Sequence, residues 1–404
     1  MPLRRNRDFN LLWTGQVVSD LGTRISGIAF PLLVLALTGS PAKAGIVGFA
    51  ETMPLLVLTL PAGALVDRWN RKLTMIVCDA TRAGAYGSLA AAIAVGHIAF
   101  AHILLVATVD GIGYVVFSVA ERSALRRVVT DEQLPDALAR NQAREYAAIL
   151  GGQPLGGLLF AAGRVVPFLV DAISYAVSIV SLSFLRATLQ GERAAAERHI
   201  LREIREGLAW FWRQPFIRTT SLLVTGSDFT LNALYLVVIV IARERGASAA
   251  VIGAMFAFLG AGGLLGALAA PRLARVLPVR VIVVATMWAV AALLPLLVVV
   301  PGRVTPGIFY GAMFFMHPTW NAVVGAYRLR LTPDELQGRV VSVATLLSVG
   351  SVPFASLLAG FLLSSVGSTP TVLVLFGLML VVGVAAFASP AVRQFVTPRD
   401  SPSQ

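Results

Sequence analysis

The ten residues "GALVDRWNRK", at positions 63–72, end one long apolar stretch and lead into the next. A degraded copy, "GALAAPRLAR", stands at residues 266–275, again at the end of an apolar stretch. A second pair, "TDEQL" at 130–134 and "TPDEL" at 332–336, repeats at a similar distance. Repeats separated by about 200 residues indicate two halves of similar structure.

The amino-acid composition indicates the class of protein to which the two halves belong. The chain has 404 residues, of which 57% are hydrophobic and 13% are charged, and its mean hydropathy is +0.78. Such a chain is predicted to be an integral membrane protein because a soluble domain of this size needs more polar surface. Twelve stretches reach the roughly 20 apolar residues that a membrane-spanning helix requires: 9–37, 44–66, 73–95, 99–121, 143–163, 165–185, 217–241, 249–269, 280–300, 305–327, 340–364 and 370–388.

Basic residues set the expected orientation. They concentrate in alternate connections, which predicts that both termini are cytoplasmic and that the protein is a multi-pass protein of a bacterial-type inner membrane. The net charge of +12 is spread singly between apolar stretches and forms no stripe with interleaved aromatics, so no nucleic-acid partner is expected. The first stretch is too long for a signal peptide and lacks a small-residue cleavage site, so we expect a retained helix.

The polar residues exclude several kinds of site. The single Cys78 rules out a disulfide framework, and the four histidines lack metal-ligand spacing, so no metal is expected. Lys43 and Lys72 are the only lysines, and neither belongs to a phosphate-binding loop. Because no catalytic triad or cofactor fingerprint is present either, we expect no enzyme activity and no cofactor.

These patterns divide the chain into four parts. We predict an N-terminal six-helix bundle at 1–186, a cytoplasmic linker at 187–215, a C-terminal six-helix bundle at 216–390 and a disordered cytoplasmic tail at 391–404. In the linker, "HILREIREGLAWFWRQP" places its apolar residues on one helical face, which is typical of a helix lying on the membrane surface. A short soluble helix packed on the bundle is the alternative.

Two halves joined by a basic linker, with "GALVDRWNRK" after the second helix, resemble the major facilitator superfamily, whose signature is G-x-x-x-D-R-x-G-R-K/R. Asn70 stands where the second glycine is usual. The stretches "VDAISYAVS" (170–178), "EIREGLAWFWRQP" (203–215) and "LQGRVVSV" (336–343) are similar to its drug:proton antiporter branch, which includes macrolide-efflux and siderophore-export proteins. The resemblance implies twelve transmembrane helices in two pseudo-symmetric six-helix bundles around a central cavity.

The resemblance also implies a conformational latch at the cytoplasmic side. A missing Cβ at Gly63 would permit close helix approach, and the Asp67 carboxylate would face the N-terminal end of helix eleven at Gly338 and Arg339. The alternative is that the charged residues only follow the orientation rule and cap a turn. The predicted latch residues are Gly63, Asp67, Arg68, Arg71, Lys72 and Arg339.

Helix five carries "GGQPLGG" at 151–157, which resembles the antiporter motif in which a glycine and a proline precede x-x-G-G. Its glycines and proline permit close packing and a local bend. Generic helix packing explains the same residues equally well. The residues concerned are Gly151, Gly152, Pro154, Gly156 and Gly157.

In the resembled fold, helices one, four, seven and ten line the cavity, and the middle of each holds a polar pair spaced i, i+4. Charged groups at mid-membrane are costly, so each pair is expected to face a water-filled cavity. The pairs are Asp20 and Arg24, Asp110 and Tyr114, Asp228 and Asn232, and His317 and Asn321. Asp20 and Asp228 are the first candidates for proton coupling. A static Asp20–Arg24 ion pair and a packing hydrogen bond from His317 are the alternatives, and Asp79 and Arg82 are expected to form a structural pair.

The predicted function is secondary active export of small hydrophobic or amphiphilic, drug-like compounds by proton antiport with alternating access. The expected partners are the substrate, protons and the lipid bilayer, and a monomer is expected. Two alternatives remain: a dedicated exporter of one endogenous metabolite, such as a siderophore, and a non-transporting membrane scaffold of the same fold.

Overall fold

A computed structural model describes residues 3–187, 189–190 and 200–393. The side chains of residues 60, 64, 67, 200–205 and 207 also lie outside the described part. Within it the chain is all-helical and contains no strand, as predicted. The α-helices are α1 (Arg7–Thr38), α2 (Pro41–Arg68), α3 (Arg71–Ala94), α4 (Phe100–Val128), α5 (Leu134–Ala162), α6 (Val166–Ser183), α7 (Ile200–Arg213), α8 (Pro215–Glu244), α9 (Ala249–Met255), α10 (Ala257–Val276), α11 (Val279–Leu293), α12 (Leu296–Val299), α13 (Thr305–Met313), α14 (His317–Leu331), α15 (Gln337–Ser365), α16 (Ser368–Ala388) and α17 (Pro390–Arg393).

Nine helical segments of the described residues are long and apolar enough to cross a membrane. They include α1, α4, α8 and the combined α9–α10 segment. Three predicted stretches, 73–95, 143–163 and 305–327, coincide with α3, α5 and α13–α14, which are not among the nine. Charged residues lower the hydropathy of α3 and α5, and α13 and α14 are each shorter than a membrane crossing.

Local sequence explains where several helices begin. Asn6 accepts a hydrogen bond from the Phe9 N–H (3.0 Å) at the start of α1, and Asn70 does the same for Leu73 (3.1 Å) at the start of α3. Both are N-caps, which satisfy backbone donors that lack a partner inside the helix. At its other end α1 stops at Gly39, whose φ of 65° lies in the left-handed region that favours glycine.

The break between α13 and α14 also has a local cause. Pro318 has no N–H and so cannot donate to the Phe314 carbonyl as a continuous helix would require. The His317 N–H bonds that carbonyl instead, at 3.3 Å, in the tighter i to i−3 pattern. The chain therefore restarts its helix at His317, which becomes the first residue of α14.

Unit 1 comprises residues 1–195 and 247–257, and therefore contains α1 to α6 and α9. Within it, α1 packs against α5 and α6, α3 against α4 and α6, and α2 against α4. An aromatic group formed by Phe30, Tyr86 and Phe168 lies in its core, with the rings of Phe30 and Phe168 5.4 Å apart. The segment 247–257, assigned to the second half from the sequence, groups with this unit.

Unit 2 comprises residues 196–246 and 258–404, and its described part contains α7, α8 and the helices that follow α9. Here α8 packs against α15 and α16, α11 packs against α16, and α7 packs against α15. Gly262 and Gly266 of α10 lie against the backbone of Gly311 and Phe315, so a Cβ at either glycine would clash. Glycine is required there because the two backbones approach so closely.

Candidate functional site

The first candidate site is the Arg144 triad, which joins three helices of unit 1. Arg144 of α5 places its Nε atom 2.7 Å from Asp20 Oδ2 of α1, and its Nη1 atom 2.9 Å from Glu121 Oε1 of α4. The Arg144 side chain is 9% exposed, whereas that of Asp20 is 31% exposed. One guanidinium thus serves two carboxylates, and the Asp20 carboxylate is the accessible member.

The charges of the Arg144 triad do not balance when both acids are ionised. Two carboxylates and one guanidinium leave one net negative charge, which is costly in a membrane-spanning segment. A single proton on Asp20 or Glu121 cancels that charge and removes one of the two links to Arg144. The triad can therefore bind a proton and change how firmly α1, α4 and α5 are held together.

Sequence reasoning identified Asp20 but missed its partners. Arg144 is the second residue of the predicted stretch 143–163 and was given no role there, whereas α5 begins at Leu134 and carries Arg144 well inside the helix. Arg24, the expected partner one turn along α1, forms no hydrogen bond or ion pair within the described residues. Its Cβ instead lies against Gly152 of α5. The intrahelical Asp20–Arg24 pair is therefore replaced by a pair between helices.

A second group, the Arg82 network, lies in the core of unit 1. Arg82 Nε of α3 is 2.7 Å from Asp110 Oδ1 of α4, and the two side chains are 3% and 5% exposed. The Arg82 guanidinium also stacks 4.2 Å from the centre of the Tyr175 ring, and the Tyr175 hydroxyl donates to Asp110 Oδ1 at 3.4 Å. The Arg82 stem crosses Gly113 of α4, where a Cβ would lie 2.7 Å from Arg82 Cδ.

Asp171 of α6 belongs to the same buried region. It is 0% exposed and accepts hydrogen bonds from Ser26 at 2.5 Å and from Ser174 at 3.0 Å. The Ser26 hydroxyl also lies 3.3 Å from the Tyr86 hydroxyl. These donors supply the hydrogen bonds that a buried carboxyl group needs.

The Arg82 network corrects two expectations. Arg82 pairs with Asp110 of α4, and the expected pair with Asp79 on its own helix is not formed. Asp110 and Tyr114 do not share one environment, because Asp110 is buried against α3 whereas Tyr114 is 45% exposed. The pattern failed because i, i+4 spacing fixes a helical face, whereas the packing of α3 on α4 decides which side chains become buried.

The third group, the Asp228 group, lies in unit 2. His317 Nε2 of α14 is 3.4 Å from Asp228 Oδ1 of α8. Ser348 of α15 donates a short hydrogen bond to Asp228 Oδ2, and the Asn321 amide lies 3.3 Å from His317 Nδ1. Predicted residues from two helices therefore come together here, and Ser348 is a member that the sequence did not reveal.

Hydrogen bonding selects one form of the histidine. The amide nitrogen of Asn321 can only donate, so His317 Nδ1 must accept from it and the proton of the neutral ring sits on Nε2. That N–H faces the Asp228 carboxylate. The amide of Asn232 turns away and donates to the backbone carbonyl of Asp228 at 2.7 Å. The Asp228 group can thus hold a proton between a carboxylate and an imidazole.

Three features describe the signature loop in unit 1. Asn70 has a φ of −71° and acts as the N-cap of α3, so it does not replace glycine in a left-handed conformation. A Cβ at Gly63 would meet no atom within 4 Å in the described part of the chain, so no close helix approach is found there. Arg71 donates to the Leu189 carbonyl at 3.0 Å, and Lys72 donates to the Ser183 and Leu185 carbonyls at 2.8 Å.

The remaining latch residues are found in different settings. Arg68 is exposed. Arg339 of α15 pairs with Glu206 of α7 at 2.7 Å, within unit 2. The Asp67 side chain lies outside the described residues, so the latch that joins it to helix eleven stays a prediction.

The glycines of helix five pack against two neighbours in unit 1. A Cβ on Gly156 would lie 2.5 Å from the Ile25 carbonyl oxygen of α1, and one on Gly152 would clash with Arg24 of the same helix. Gly157 faces Gly253 of α9, where a Cβ would lie 2.6 Å from the Gly253 Cα. Gly151 has only an ordinary contact with Leu21, at 3.8 Å. Pro154 lies inside α5, which continues through it.

The chain matches a known family and several named proteins. The family described as "Transmembrane secretion effector" matches residues 1–403. The chain is 29% identical to the multidrug efflux pump Tap of Mycolicibacterium fortuitum, covering 95% of the chain and 96% of that protein. It is 31% identical to Tap of Mycobacterium tuberculosis, with 95% and 94% covered, and 23% identical to macrolide efflux protein A of Streptococcus pyogenes over half of each chain.

Solved structures of transporters share the fold, as two examples show. A bacterial homolog of the human lysosomal transporter Spinster, in an inward-facing conformation, matches with a TM-score of 0.73 at 14% identity and covers 98% of this chain and 99% of its own. The nucleoside transporter NupG matches with a TM-score of 0.76 at 10% identity, covering 94% and 100%. The superfamily predicted from the sequence is confirmed. The chain therefore belongs to the transmembrane secretion effector family of the major facilitator superfamily and is a multi-pass protein of the bacterial inner membrane.

Proposed function

We propose that this protein is a secondary active transporter that exports small hydrophobic or amphiphilic compounds in exchange for protons. Its mycobacterial relatives are named multidrug efflux pumps and match along nearly the whole chain, which supports drug-like substrates. The Arg144 triad is the single observation that carries the proton-coupled mechanism, because it joins an accessible carboxylate to two other helices.

In the proposed mechanism, a proton from the outer side reaches Asp20 and neutralises the negative charge that the triad carries. Protonated Asp20 no longer forms an ion pair with Arg144, so α1 and α5 are held less firmly. Release of the proton to the cytoplasm restores the pair. Because one state of the triad is charged and the other is neutral, proton binding can shift the balance between two conformations.

The Asp228 group gives unit 2 a second proton-binding position. Without the added proton, the neutral His317 ring faces the Asp228 carboxylate and the pair carries one negative charge. Adding a proton makes an imidazolium–carboxylate ion pair with no net charge. We propose that α14, which begins at His317 after the break in the helix, carries this change toward the substrate cavity. Half-helices that begin near the membrane midplane are a recurrent way of building such cavities.

We also propose the arrangement of helices that the family resemblance implies. Twelve transmembrane helices form two six-helix bundles with cytoplasmic termini, a central cavity opens alternately to either side, and the protein acts as a monomer. No cofactor takes part, since the proton gradient supplies the energy.

The decisive experiment uses everted membrane vesicles that contain the full chain and a fluorescent amphiphilic cation such as ethidium. The lumen of these vesicles corresponds to the outside of the cell. Acidifying it should drive ethidium into the lumen as protons leave, and an uncoupler should abolish the uptake. Asp20→Asn should reduce uptake to the level of vesicles without the protein, because an amide cannot carry the proton.

Asp131→Asn is the matched control, since Asp131 is an exposed carboxylate in the connection between α4 and α5. It should transport like the wild type. No ethidium movement by the wild type would contradict the transport function for this class of substrate and would favour a scaffold. Full uptake by Asp20→Asn would retain transport but refute the Arg144 triad as the coupling site.

A further inference from the structure

A groove on unit 1 lies outside all three candidate groups. It runs between α3 and α4, has a volume of about 720 Å³, and is lined by mainly apolar side chains, among them Leu73, Val77, Ile112 and Val116. Leu73, Val77 and Ile112 are 59%, 51% and 42% exposed. The volume falls within the range of roughly 300–1,000 Å³ that is usual for small-molecule sites.

The groove faces away from the Arg144 triad. On α4 its lining residues Ile112 and Val116 are one turn apart, whereas Glu121 and Tyr114 lie on the other side of the helix at about 100° per residue. An occupant of the groove would therefore not contact the Asp20 carboxylate or its partners. The groove is of interest in its own right, because α4 is long and apolar enough to cross a membrane.

The end of the groove at the α2–α3 connection is polar and positively charged. Arg68 and Trp69 line it there, and Trp69 is 47% exposed. The neighbouring cations Arg71 and Lys72 already donate to backbone carbonyls. Arg68 forms no hydrogen bond or ion pair within the described residues, so its guanidinium is available to an anion.

We propose that this groove binds an anionic phospholipid of the membrane. Its acyl chain lies along Leu73, Val77, Ile112 and Val116, and its phosphate bonds to the Arg68 guanidinium. Trp69 lies at the level of the headgroup, where indole rings are enriched because one edge is polar and the rest is apolar. Arginine suits phosphate because its planar guanidinium can donate two parallel hydrogen bonds.

The positive charge of Arg68 favours an anionic phospholipid over other occupants of the groove. A cationic drug would be repelled by Arg68, and a neutral apolar compound would gain nothing from it. A zwitterionic lipid brings its own ammonium group, so its attraction to an isolated guanidinium is weaker. A basic residue near a membrane surface contributes about 1 kcal/mol toward an anionic lipid, which corresponds to about fivefold in affinity.

The test is native mass spectrometry of the full-length protein released from nanodiscs of phosphatidylcholine that contain phosphatidylglycerol as a minor component. The wild type should retain phosphatidylglycerol in preference to phosphatidylcholine. Arg68→Gln should lower retention about fivefold, and Arg68→Lys should lower it less because the charge remains. Ile112→Trp, which fills the groove and keeps Arg68, should lower it as well.

Arg126→Gln is the matched control, because it removes an exposed positive charge of α4 that does not line the groove. It should retain lipid like the wild type. Equal losses for Arg68→Gln and Arg126→Gln would overturn the proposal, since they would indicate general charge attraction. Equal retention of the two lipids by the wild type, or unchanged retention by Ile112→Trp, would overturn it too. Thermal unfolding of each variant establishes that the fold is intact.

Discussion

Arg82 on α3 and Asp110 on α4 form a buried ion pair, with Arg82 Nε 2.7 Å from Asp110 Oδ1. Both side chains are almost completely shielded from solvent, and Tyr175 adds a stacked ring and a hydroxyl donor. Each charge is acceptable inside unit 1 only because the other is present. The pair therefore specifies how α3 sits on α4, and it is a sensitive point of the fold.

Removing one member of this pair should destabilise the protein strongly. We expect Asp110→Leu to lower the free energy of unfolding by about 3–5 kcal/mol, because Arg82 is left buried without its partner. The double variant Arg82→Met/Asp110→Leu should recover most of that loss, since apolar side chains can replace a buried pair. Thermal unfolding in detergent measures both, and a double variant less stable than Asp110→Leu would contradict the expectation.

Gly156 and Gly151 give a matched test of helix packing. An alanine usually stabilises a helix by roughly 0.5–1 kcal/mol relative to glycine, and Gly151→Ala should follow that rule because its new methyl group meets only an ordinary contact. Gly156→Ala should instead lower the unfolding temperature, because its methyl group would press on the Ile25 carbonyl oxygen of α1. Equal shifts in the two melting curves would refute the close packing of α5 on α1.

Asn70 offers a test of helix capping within the signature loop. Asn70→Ala should cost about 0.5–2 kcal/mol because the Leu73 N–H loses its acceptor, whereas Asn70→Gly should cost only a few tenths. A small loss for Asn70→Gly would also explain why glycine, the usual residue of the signature, is tolerated at this position. The two variants are compared by thermal unfolding, and a glycine variant as unstable as the alanine variant would contradict the capping role.

The Asp228 group predicts a graded effect on transport. Asp228→Asn should abolish ethidium uptake in acid-loaded everted vesicles, because the carboxylate that His317 faces is gone. Asn321→Leu should reduce uptake by a smaller factor, since it removes only the donor that keeps the His317 proton on Nε2. Thr225→Val is the control, because among the described residues the Thr225 hydroxyl bonds only a backbone carbonyl of its own helix. The order is wrong if Asn321→Leu is the more damaging change.

The helices and the family could be predicted from the sequence because both depend on local signals. Apolar stretches and each copy of the repeated loop lie within short windows of sequence. Asp20 was identified for the same reason, since a carboxylate inside an apolar helix is conspicuous in the sequence alone. The membership of Asp20 in the Arg144 triad could not be predicted, because the three residues come from three helices.

The pairing of charges could not be predicted because it depends on how helices pack. Asp79 lies three residues from Arg82, which favoured a pair on one helix. Arg82 reaches Asp110 instead because Gly113 leaves room for its stem. Ser348 was missed for a related reason: a serine in an apolar helix ordinarily bonds its own backbone, and only the packing of α15 on α8 brings it to Asp228.

Gly113 borders two features of unit 1 at once, since it lines the groove and lies under the Arg82 stem. Any larger residue there would fill part of the groove and push the guanidinium from Asp110 in the same step. A side chain added at position 113 therefore meets two constraints, the groove on one side and the buried ion pair on the other.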